Sequence, residues 1–499
     1  MHPLLSLFSS WSQRRLFVAF AVILLPVAYI SLFYRLGSAP VVLWDESRLG
    51  MNALEMLNNK NWLVTYAFGT PDLWNTKPPL LIWIQASLFW LFGANEITLR
   101  IPSALAGLAT TALVAWFGTY KLKSPLVGLF SALILLTTNG YIDNHVTRSG
   151  DYDSLLVFFT TWYVLSFYLY LEEGHRRYLW YTGIGITLAL LTKSAAGAIF
   201  LPALLLYTIL RKQLLPLLRR KEVYVMVAGI VGTVALFFIA RESAGAGYLH
   251  AMYENDLGGR MLNDLSGNNQ VFPWDAYLQM LIHDELIPWI CFFPIGFVLL
   301  LHSTAPRIYR HIALLIALVV PFFLFVISSA KTKYFWYEAP IYPFCALLAG
   351  VGLAFIFQAT ITALGAGQQP WLLLLLMLCI FAYPLSVVWS EDFQPVQEPD
   401  FLFGRHIKYQ AKEVGQIENY TLLSGLDYNS SMEFYRLAAM RKYHHKIRPL
   451  PSWRLREIKV NETVVVCNPV MRARLDSIYT TTPILSGDQC VTLLIVGKK

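Results

Sequence analysis

The chain has 499 residues, of which 56% are hydrophobic and 14% charged, and a formal net charge of +8. Soluble globular proteins carry about 25% charged residues, so this composition excludes an ordinary soluble domain and indicates a polytopic helical membrane protein. The positive charge does not indicate nucleic acid, because the Lys and Arg residues lie between apolar segments, as the positive-inside rule requires. We therefore expect membrane lipids, and no nucleic acid, among its partners.

The first apolar segment resembles a signal peptide but is too long for one. Arg14 and Arg15 precede an apolar run at residues 16–33. The apolar part of a signal peptide has about 7–15 residues. We therefore predict an uncleaved membrane helix whose N-terminal end lies in the cytoplasm.

Apolar segments of membrane-spanning length recur along the first 390 residues. A helix needs about 20 predominantly apolar residues to cross a bilayer. The sequence predicts about eleven spans, at residues 16–34, 99–120, 125–141, 154–171, 178–192, 195–210, 223–240, 286–301, 312–329, 339–357 and 371–389.

Residues 79–92 are apolar but only about half as long as a secure span, so they either cross the membrane or lie in its interface. If they do not cross, the basic loops fall on the same side as the N-terminus, which the positive-inside rule makes cytoplasmic. These loops are residues 121–123, 172–177, 211–221 and 307–310. We therefore predict an interfacial helix at residues 79–92. The segments then placed outside the cytoplasm are residues 45–92, 143–153, 241–285, 330–337 and everything after 389.

The composition changes after residue 389. Short runs at residues 419–426, 463–467 and 490–496 predict buried strands, and residues 431–440 and 470–478 predict helices between them. We therefore expect a transmembrane domain at residues 1–390, with an outer catalytic loop at 40–95, and a small extracytoplasmic α/β domain at residues 391–499. In an oxidising compartment, Cys467 and Cys490 would form a disulfide.

Ionisable residues are concentrated directly after the first apolar segment, in the sequence W-D-E-S-R that ends at Arg48. Ionisable groups beside hydrocarbon are costly to place and mark functional sites. One interpretation is that Asp45 or Glu46 caps the following helix, because carboxylates suit helix N-termini. The other is that Asp45 or Glu46 acts as a general base or orients an acceptor, with Arg48 nearby for an anionic ligand.

Two further motifs place charged residues on the predicted outer side. In T-K-P-P-L, two prolines hold Lys77 at the mouth of the next helix, where it either binds an anion or extends to lipid headgroups. In R-S-G-D-Y-D, Asp151 and Asp153 either ligate a divalent metal ion or cap the next helix.

Lysines and aromatic residues also meet near the end of the predicted membrane region. In A-K-T-K-Y-F-W-Y, Lys331 and Lys333 lie among aromatic residues at the outer end of a helix pair. The two interpretations are an aromatic belt with ordinary lysine flanks, and a pocket for a lipid phosphate. Lys193, in L-T-K-S, also lies at the outer end of its helix.

These motifs resemble the GT-C superfamily of membrane glycosyltransferases, and within it bacterial relatives of protein O-mannosyltransferases and of the aminoarabinose transferase that modifies lipid A. The matching pieces are W-D-E-S-R at 44–48, T-K-P-P-L-L-I-W at 76–83, N-E-I-T-L-R-I-P-S-A-L-A-G at 95–107, R-S-G-D-Y-D at 148–153, L-T-K-S at 191–194 and A-K-T-K-Y-F-W-Y-E-A-P-I-Y-P at 330–343. Their order and spacing cover most of residues 40–345, whereas the C-terminal domain matches only loosely.

The resemblance implies transfer of a sugar, usually with inversion, from a polyprenyl-phosphate donor to an acceptor outside the cytoplasm of a bacterial inner membrane. The implied acceptor is a lipid A-like glycolipid, a cell-surface glycan or a protein hydroxyl. By resemblance, Asp45 is the main catalytic carboxylate and Asp153 the second acidic position. The residues implied to line the donor phosphate are Arg48, Lys77, Lys193, Arg260 and Tyr337. Leu49 and Thr76 stand where relatives of the lipid A enzyme often carry Tyr and Glu, which leaves the sugar and the acceptor open.

The rival class is a secondary transporter or flippase of a lipid-linked or anionic substrate. Such proteins place ionisable residues near the bilayer midplane. In this sequence the ionisable residues, such as Arg100 and Lys193, lie at the ends of the predicted spans. The pattern therefore favours an enzyme, for which we predict no cofactor beyond a divalent metal hypothesis at Asp151 and Asp153.

Overall fold

The computed structural model describes residues 13–42, 44–142, 145–263, 272–302, 305–364, 370–391, 402–413, 417–426, 428–487 and 489–499. The α-helices up to residue 244 are α1 (Gln13–Ala28), α2 (Asp45–Asn59), α3 (Leu80–Phe92), α4 (Glu96–Trp116), α5 (Pro125–Leu136), α6 (Asn139–Ile142), α7 (Asp153–Glu173), α8 (Arg176–Lys193), α9 (Leu201–Leu210), α10 (Leu214–Leu218) and α11 (Lys221–Ala244). The later ones are α12 (Tyr248–Met252), α13 (Gly258–Leu262), α14 (Ala276–Met280), α15 (Phe293–Leu301), α16 (Arg307–Ser329), α17 (Tyr342–Ala363), α18 (Pro370–Glu391), α19 (Phe403–Glu413), α20 (Ser430–Tyr443) and α21 (Pro469–Ile478).

Shorter elements complete the chain. The π-helical turns are Tyr29–Phe33, Phe117–Lys121, Tyr253–Leu257 and Leu281–Glu285, and the 3₁₀ turns are Ser194–Ala198, Trp289–Phe292, Phe335–Ile341 and Ser452–Glu457. The strands are β1 (Tyr66–Ala67), β2 (Thr70–Pro71), β3 (Asn419–Leu423), β4 (Lys446–Leu450), β5 (Thr463–Val466), β6 (Tyr479–Ser486) and β7 (Val491–Lys498).

Helices lie at all eleven predicted spans, but they differ in length. Within the described residues, five helical segments are long and apolar enough to cross a membrane, and seven if two bent pairs each count as one span. One bent pair joins Arg176–Ala198 to Leu201–Leu210 at 74°, so two predicted spans form either one broken span or a re-entrant loop. Val18–Phe33, Leu80–Phe92, Pro125–Leu136 and Leu375–Ser390 are shorter apolar helices. The fold is therefore that of a multi-pass helical membrane protein. The described residues give five to seven candidate crossings by length and composition, against the eleven predicted.

The described residues form two compact units. The first draws on Met1–Tyr34, Leu73–Leu81 and Pro102–Phe393, and the second on Arg35–Asp72, Ile82–Ile101 and Gln394–Lys499. The domain boundary at residue 390 stays a prediction. Most of residues 40–95, which were predicted to be an outer loop of the transmembrane domain, belong to the second unit.

The second unit contains a five-stranded mixed sheet in the order β4-β3-β5-β7-β6. Strand β3 pairs in parallel with both β4 and β5, whereas β7 pairs antiparallel with β5 and β6. Leu423, Val464, Leu475 and Leu493 are fully buried in the core beside this sheet. A disulfide joins Cys467 to Cys490, as the sequence suggested.

Two strands of this sheet, β4 and β6, were not predicted from the sequence. Both contain a proline, Pro449 and Pro483, and both are edge strands, where a missing backbone N–H is tolerated. The register of β6 is also irregular at two places. Proline and an irregular register both interrupt the alternation of apolar and polar residues that marks a strand. The sequence signal was therefore strong only for the three central strands.

Candidate active site

A cavity of about 270 Å³ lies within the first unit and is lined by both charged and apolar side chains. Its charged or polar lining is Lys77, Asp153, Lys193, Asp256, Arg260 and Tyr337. Its apolar lining includes Leu156, Ile199, Met261, Phe323, Val326 and Ile327. We call this cavity the cationic pocket, because it holds three cationic side chains and two carboxylates.

Lys193 and Asp153 form the most buried ion pair of the cationic pocket. The Lys193 Nζ donates to both carboxylate oxygens of Asp153, at 2.6 and 2.8 Å. Asp153 is the first residue of α7 and Lys193 the last of α8, so the pair joins the ends of two successive helices. Ser194 follows with a φ of 46°, which is unusual for a residue other than glycine and marks the break of the helix at this site.

A second cluster in the cationic pocket surrounds Asp256, which sequence reasoning missed. The hydroxyl of Thr76 donates to its Oδ2 at 2.7 Å. The Lys77 Nζ and the Arg260 Nε lie 3.9 and 3.6 Å from its Oδ1. Lys77 is held close to Asp256 without a short hydrogen bond to it, so a phosphate could draw it away.

A π-helical turn positions Asp256 and Arg260. Residues Tyr253–Leu257 form one π turn between α12 and α13, and such turns are frequent at functional sites. Arg260 then donates through Nη1 to the hydroxyl of Tyr337. The spacing of Asp256 and Arg260, four residues apart in E-N-D-L-G-G-R, is the signal from which this pair could have been predicted.

Lys331 and Lys333 do not line the cationic pocket, although they were predicted to bind the donor phosphate. Ala330 and Thr332 line it instead. Lys331 is exposed, and the Lys333 Nζ donates to the carbonyl of Ala330 at 2.8 Å. A bend at residues 331 and 332 leaves the Lys331 side chain exposed and buries Thr332 at the pocket.

The carboxylates of the D-x-D pair have different partners. Asp153 is neutralised by Lys193, whereas the Oδ2 of Asp151 lies 3.9 Å from Nδ1 of His145, whose ring stacks on Trp336. Burial alone would raise the pKa of Asp151, but His145 and the charge of Lys193 outweigh it and hold the pKa below its ordinary value. An ammonium group already occupies both oxygens of Asp153, so only Asp151 of this pair offers its carboxylate to a metal ion, and the predicted metal stays a hypothesis.

In the second unit, Asp45 and Glu46 have opposite environments. Asp45 is exposed at the first position of α2, and no side-chain hydrogen bond caps this helix. Glu46 is buried, and its two oxygens accept from the Nε and Nη2 of Arg100 at 2.6 and 2.8 Å. The other N–H groups of Arg100 donate to the carbonyls of Leu36, Ala39 and Pro40. Glu46 therefore fixes the entry to α2, and only Asp45 of the two presents its carboxylate to solvent.

Arg48 is also engaged within the second unit. It donates to both oxygens of Asp72, through Nε at 2.8 Å and Nη2 at 2.7 Å. A third donor, Nη1, reaches the hydroxyl of Tyr428 at 3.2 Å. Asp72 was not singled out in the sequence, because nothing local marks a carboxylate 24 residues away as the partner of Arg48.

Five of the predicted residues thus line one cavity: Lys77, Asp153, Lys193, Arg260 and Tyr337. Asp45, Glu46 and Arg48 lie together at the start of α2 in the second unit. The structure adds Asp256 to the first group, and Asp72 and Arg100 to the second.

Residues 76–240 match the family described as dolichyl-phosphate-mannose-protein mannosyltransferase. A protein of unassigned function from Aquifex aeolicus is 32% identical over 44% of this chain and 42% of its own length. The undecaprenyl phosphate-alpha-4-amino-4-deoxy-L-arabinose arabinosyl transferase of Wigglesworthia glossinidia brevipalpis is 27% identical over 30% of this chain and 27% of its own length. The chain thus spans less than half the length of the curated relatives that it matches.

Among solved structures, the fold has a match that extends over nearly the whole chain. The crystal structure of ArnT from Cupriavidus metallidurans bound to undecaprenyl phosphate superposes with a TM-score of 0.68 and 15% identity, over 97% of this chain and 98% of that one. The family match and the sequence relatives show that the chain is similar to membrane glycosyltransferases of the GT-C superfamily, as its motifs predicted, and the solved structure shows that it shares their fold. Within that superfamily it is similar to aminoarabinose transferases and to bacterial mannosyltransferases.

Proposed function

We propose that this protein transfers a sugar from a polyprenyl-phosphate donor to an acceptor outside the cytoplasm, with inversion at the sugar. The observation that supports this most is the cationic pocket, in which Lys77, Lys193 and Arg260 adjoin apolar side chains. A polyprenyl-phosphate sugar needs both surfaces, because its phosphate binds cations and its chain contacts apolar groups. The relatives named for undecaprenyl-phosphate sugars support the same donor class.

The chemistry of the step explains the need for cations. The bond between the anomeric carbon and the phosphate oxygen breaks, and the acceptor oxygen forms a new bond to that carbon. The phosphate gains one negative charge as it leaves, and preorganised cations stabilise such developing charge. Lys77 is suited to this role, because Asp256 holds it at 3.9 Å and not in a short hydrogen bond, and Arg260, which donates to Tyr337, adds a second positive charge.

Asp153 serves in this scheme as a positioning residue. It holds the ammonium group of Lys193 through both of its oxygens, and the same ammonium lies 5.3 Å from the ring centre of Tyr337. Lys193 is thereby oriented at the pocket before the donor arrives. Arg48 is given no phosphate role, since Asp72 and Tyr428 take its donors.

Asp45 is the proposed general base. A hydroxyl acceptor must lose its proton as its oxygen attacks, and a carboxylate within hydrogen-bond reach can accept that proton. Asp45 is exposed, whereas Glu46 is committed to Arg100. We assign Glu46 to the structure of the site and keep Asp45 as the catalytic carboxylate.

We further propose that the site and the C-terminal domain lie outside the cytoplasm of a bacterial inner membrane, because the basic loops 121–123 and 211–221 are predicted to face the cytoplasm. The test of the function is transfer of radiolabelled sugar from a polyprenyl-phosphate donor by the purified protein in lipid nanodiscs. Label should move to acceptor material from the cell envelope with release of polyprenyl phosphate. Donor movement across sealed vesicles, with no label transferred, would instead identify a flippase.

A further inference from the structure

Two exposed aromatic residues of the second unit have backbone conformations that bulky residues rarely adopt. Phe68 has a φ of 53° and Trp44 a φ of 76°. Phe68 precedes Gly69, with a φ of 78°, in the two-residue turn between β1 and β2. Turns with two positive φ values favour Asn-Gly or Asp-Gly. The chain therefore keeps an aromatic ring where Asn would be less strained, and such strain is found at functional sites.

Both rings pack against Tyr428. The Trp44 ring stacks on it at 5.2 Å, and the Phe68 ring meets it edge-on at 5.4 Å. These contacts leave Trp44 65% and Phe68 46% exposed. The hydroxyl of Tyr428 accepts from Arg48, so the central ring is held in place. Trp44, Phe68 and Tyr428 form an aromatic platform on the surface of the second unit.

A groove of about 530 Å³ adjoins the platform, and Phe68 belongs to its wall. Its polar lining includes Glu55, Asn58, Asn59, Glu433, Arg436 and Arg454. Two carboxylates and two guanidinium groups balance in charge, and Glu433 is paired with Arg436. The groove thus offers hydrogen-bonding groups without excess charge, in contrast to the three cations and two carboxylates of the cationic pocket.

We propose that the aromatic platform and this groove bind carbohydrate, so that the acceptor is a molecule that bears a glycan. Sugar rings present C–H groups to the electron-rich faces of aromatic rings, and their hydroxyls pair with amides and carboxylates. The balanced charge favours a neutral glycan over a polyanion or a basic peptide. Asp45 directly follows Trp44, so a glycan on the platform lies next to the proposed base. The placement of the glycan beside a base rests on the proposed function, in which Asp45 is that base.

The test is glycan binding by the full-length protein in nanodiscs without donor, measured by saturation-transfer NMR. The probes are mannopentaose as the neutral glycan, the anionic core oligosaccharide of a rough lipopolysaccharide, which should bind more weakly, and a Ser/Thr-rich peptide. Phe68→Asn removes the ring but suits the turn, so it should weaken oligosaccharide binding about tenfold while the thermal midpoint is kept or raised. Tyr409→Asn, which changes an exposed aromatic residue of α19 outside the groove, should bind as the wild type does.

Three results would overturn the proposal. They are no oligosaccharide binding by the wild type, unchanged oligosaccharide binding by Phe68→Asn, and binding of the Ser/Thr-rich peptide in place of the oligosaccharide, which would make the platform a peptide site. Sugar transfer is measured separately with the labelled donor. Transfer without glycan binding would refute this inference alone, and glycan binding without transfer would refute the proposed function alone.

Discussion

The ammonium group of Lys193 lies within hydrogen-bond distance of both oxygens of Asp153, at 2.6 and 2.8 Å. Their side chains are 13% and 2% exposed, so neither charge has much access to water. The pair is neutral as a unit, which leaves Lys77 as a cation that can shift toward a phosphate, since it lies 3.9 Å from Asp256. The cationic pocket therefore combines Lys193, held by Asp153, and Arg260, held by Tyr337, with a lysine that is held less closely.

Lys77→Ala should raise the KM for the lipid-phosphate donor more than the KM for the acceptor. A hydrogen bond to a charged group contributes about 1.5–3 kcal/mol, which corresponds to about 10–100-fold in donor affinity. Steady-state kinetics with each substrate varied in turn would measure this. Lys331→Ala is the matched control, because Lys331 is exposed and does not line the pocket. A Lys77→Ala protein with a normal donor KM would show that Lys77 only extends to lipid headgroups.

Lys193→Met and Asp153→Leu should each destabilise the protein by about 3–5 kcal/mol, since each leaves one buried charge unpaired. The double variant should regain much of that stability, because it removes both charges. It should not regain transfer activity, because the pocket has lost a cation. Thermal unfolding and the rate of sugar transfer would be measured on all three variants. Equal activity of the double variant and the wild type would limit the pair to a structural role.

The sequence was informative about the cationic pocket because its residues lie in short motifs with a resemblance to known enzymes. Lys77, Lys193 and Tyr337 were all predicted, and the structure brings them to one cavity. The sequence was less informative wherever the role of a residue depends on a partner far away in the chain. Glu46 could be assigned only when Arg100, 54 residues away, was seen to bind both of its oxygens.

The same limit applies to the C-terminal region. The central strands β3, β5 and β7 follow from runs of apolar and β-branched residues, whereas the proline-containing edge strands β4 and β6 do not. The association of residues 35–72 with the C-terminal region also has no local signal, since it depends on long-range contacts such as that of Arg48 with Tyr428.

Glu46→Gln should lower the stability of the protein but leave the rate of sugar transfer by the folded protein nearly unchanged. It removes the charge that Arg100 neutralises, and breaking a buried ion pair on one side costs about 3–5 kcal/mol. The thermal midpoint should fall clearly, and the surviving folded protein should turn over near the wild-type rate. Loss of turnover with an unchanged midpoint would instead restore Glu46 as a catalytic carboxylate.

Acid should destabilise the second unit through His406. Burial lowers the pKa of His406 to about 4, below the value of about 6.5 expected in the unfolded chain. The Thr492 hydroxyl donates to Gln410, so it accepts from Nε2 of a neutral His406. The contribution of this neutral group is complete above about pH 6.5 and is lost as the pH falls toward 4, by up to about 2 kcal/mol at pH 5.

The His406 prediction is checked by thermal unfolding at pH 7.5 and pH 5. His406→Gln does not titrate and keeps an amide donor for Thr492, so its midpoint should depend less on pH than that of the wild type. Identical pH dependence in the two proteins would assign the acid sensitivity to other groups.

Asp45→Asn is the substitution that decides most about the mechanism. Asn keeps the shape of Asp and one acceptor oxygen but removes the basicity. A helix-capping role would survive the change, because Asn and Asp cap helices about equally well. Moreover, the N-cap residue of α2 is Trp44 and not Asp45, so the folded state should lose little stability.

If Asp45 takes the proton of the acceptor hydroxyl, its replacement should lower turnover by about 10²–10⁴-fold, the usual contribution of general-base catalysis. The measurement is the rate of sugar transfer by purified Asp45→Asn, with its thermal midpoint as the control for folding. Donor and acceptor KM values should change little, since the cationic pocket and the aromatic platform are left intact. Near-normal turnover would rule out Asp45 as the base and direct attention to an acceptor that needs none, such as a phosphate, because a phosphate oxygen attacks without losing a proton.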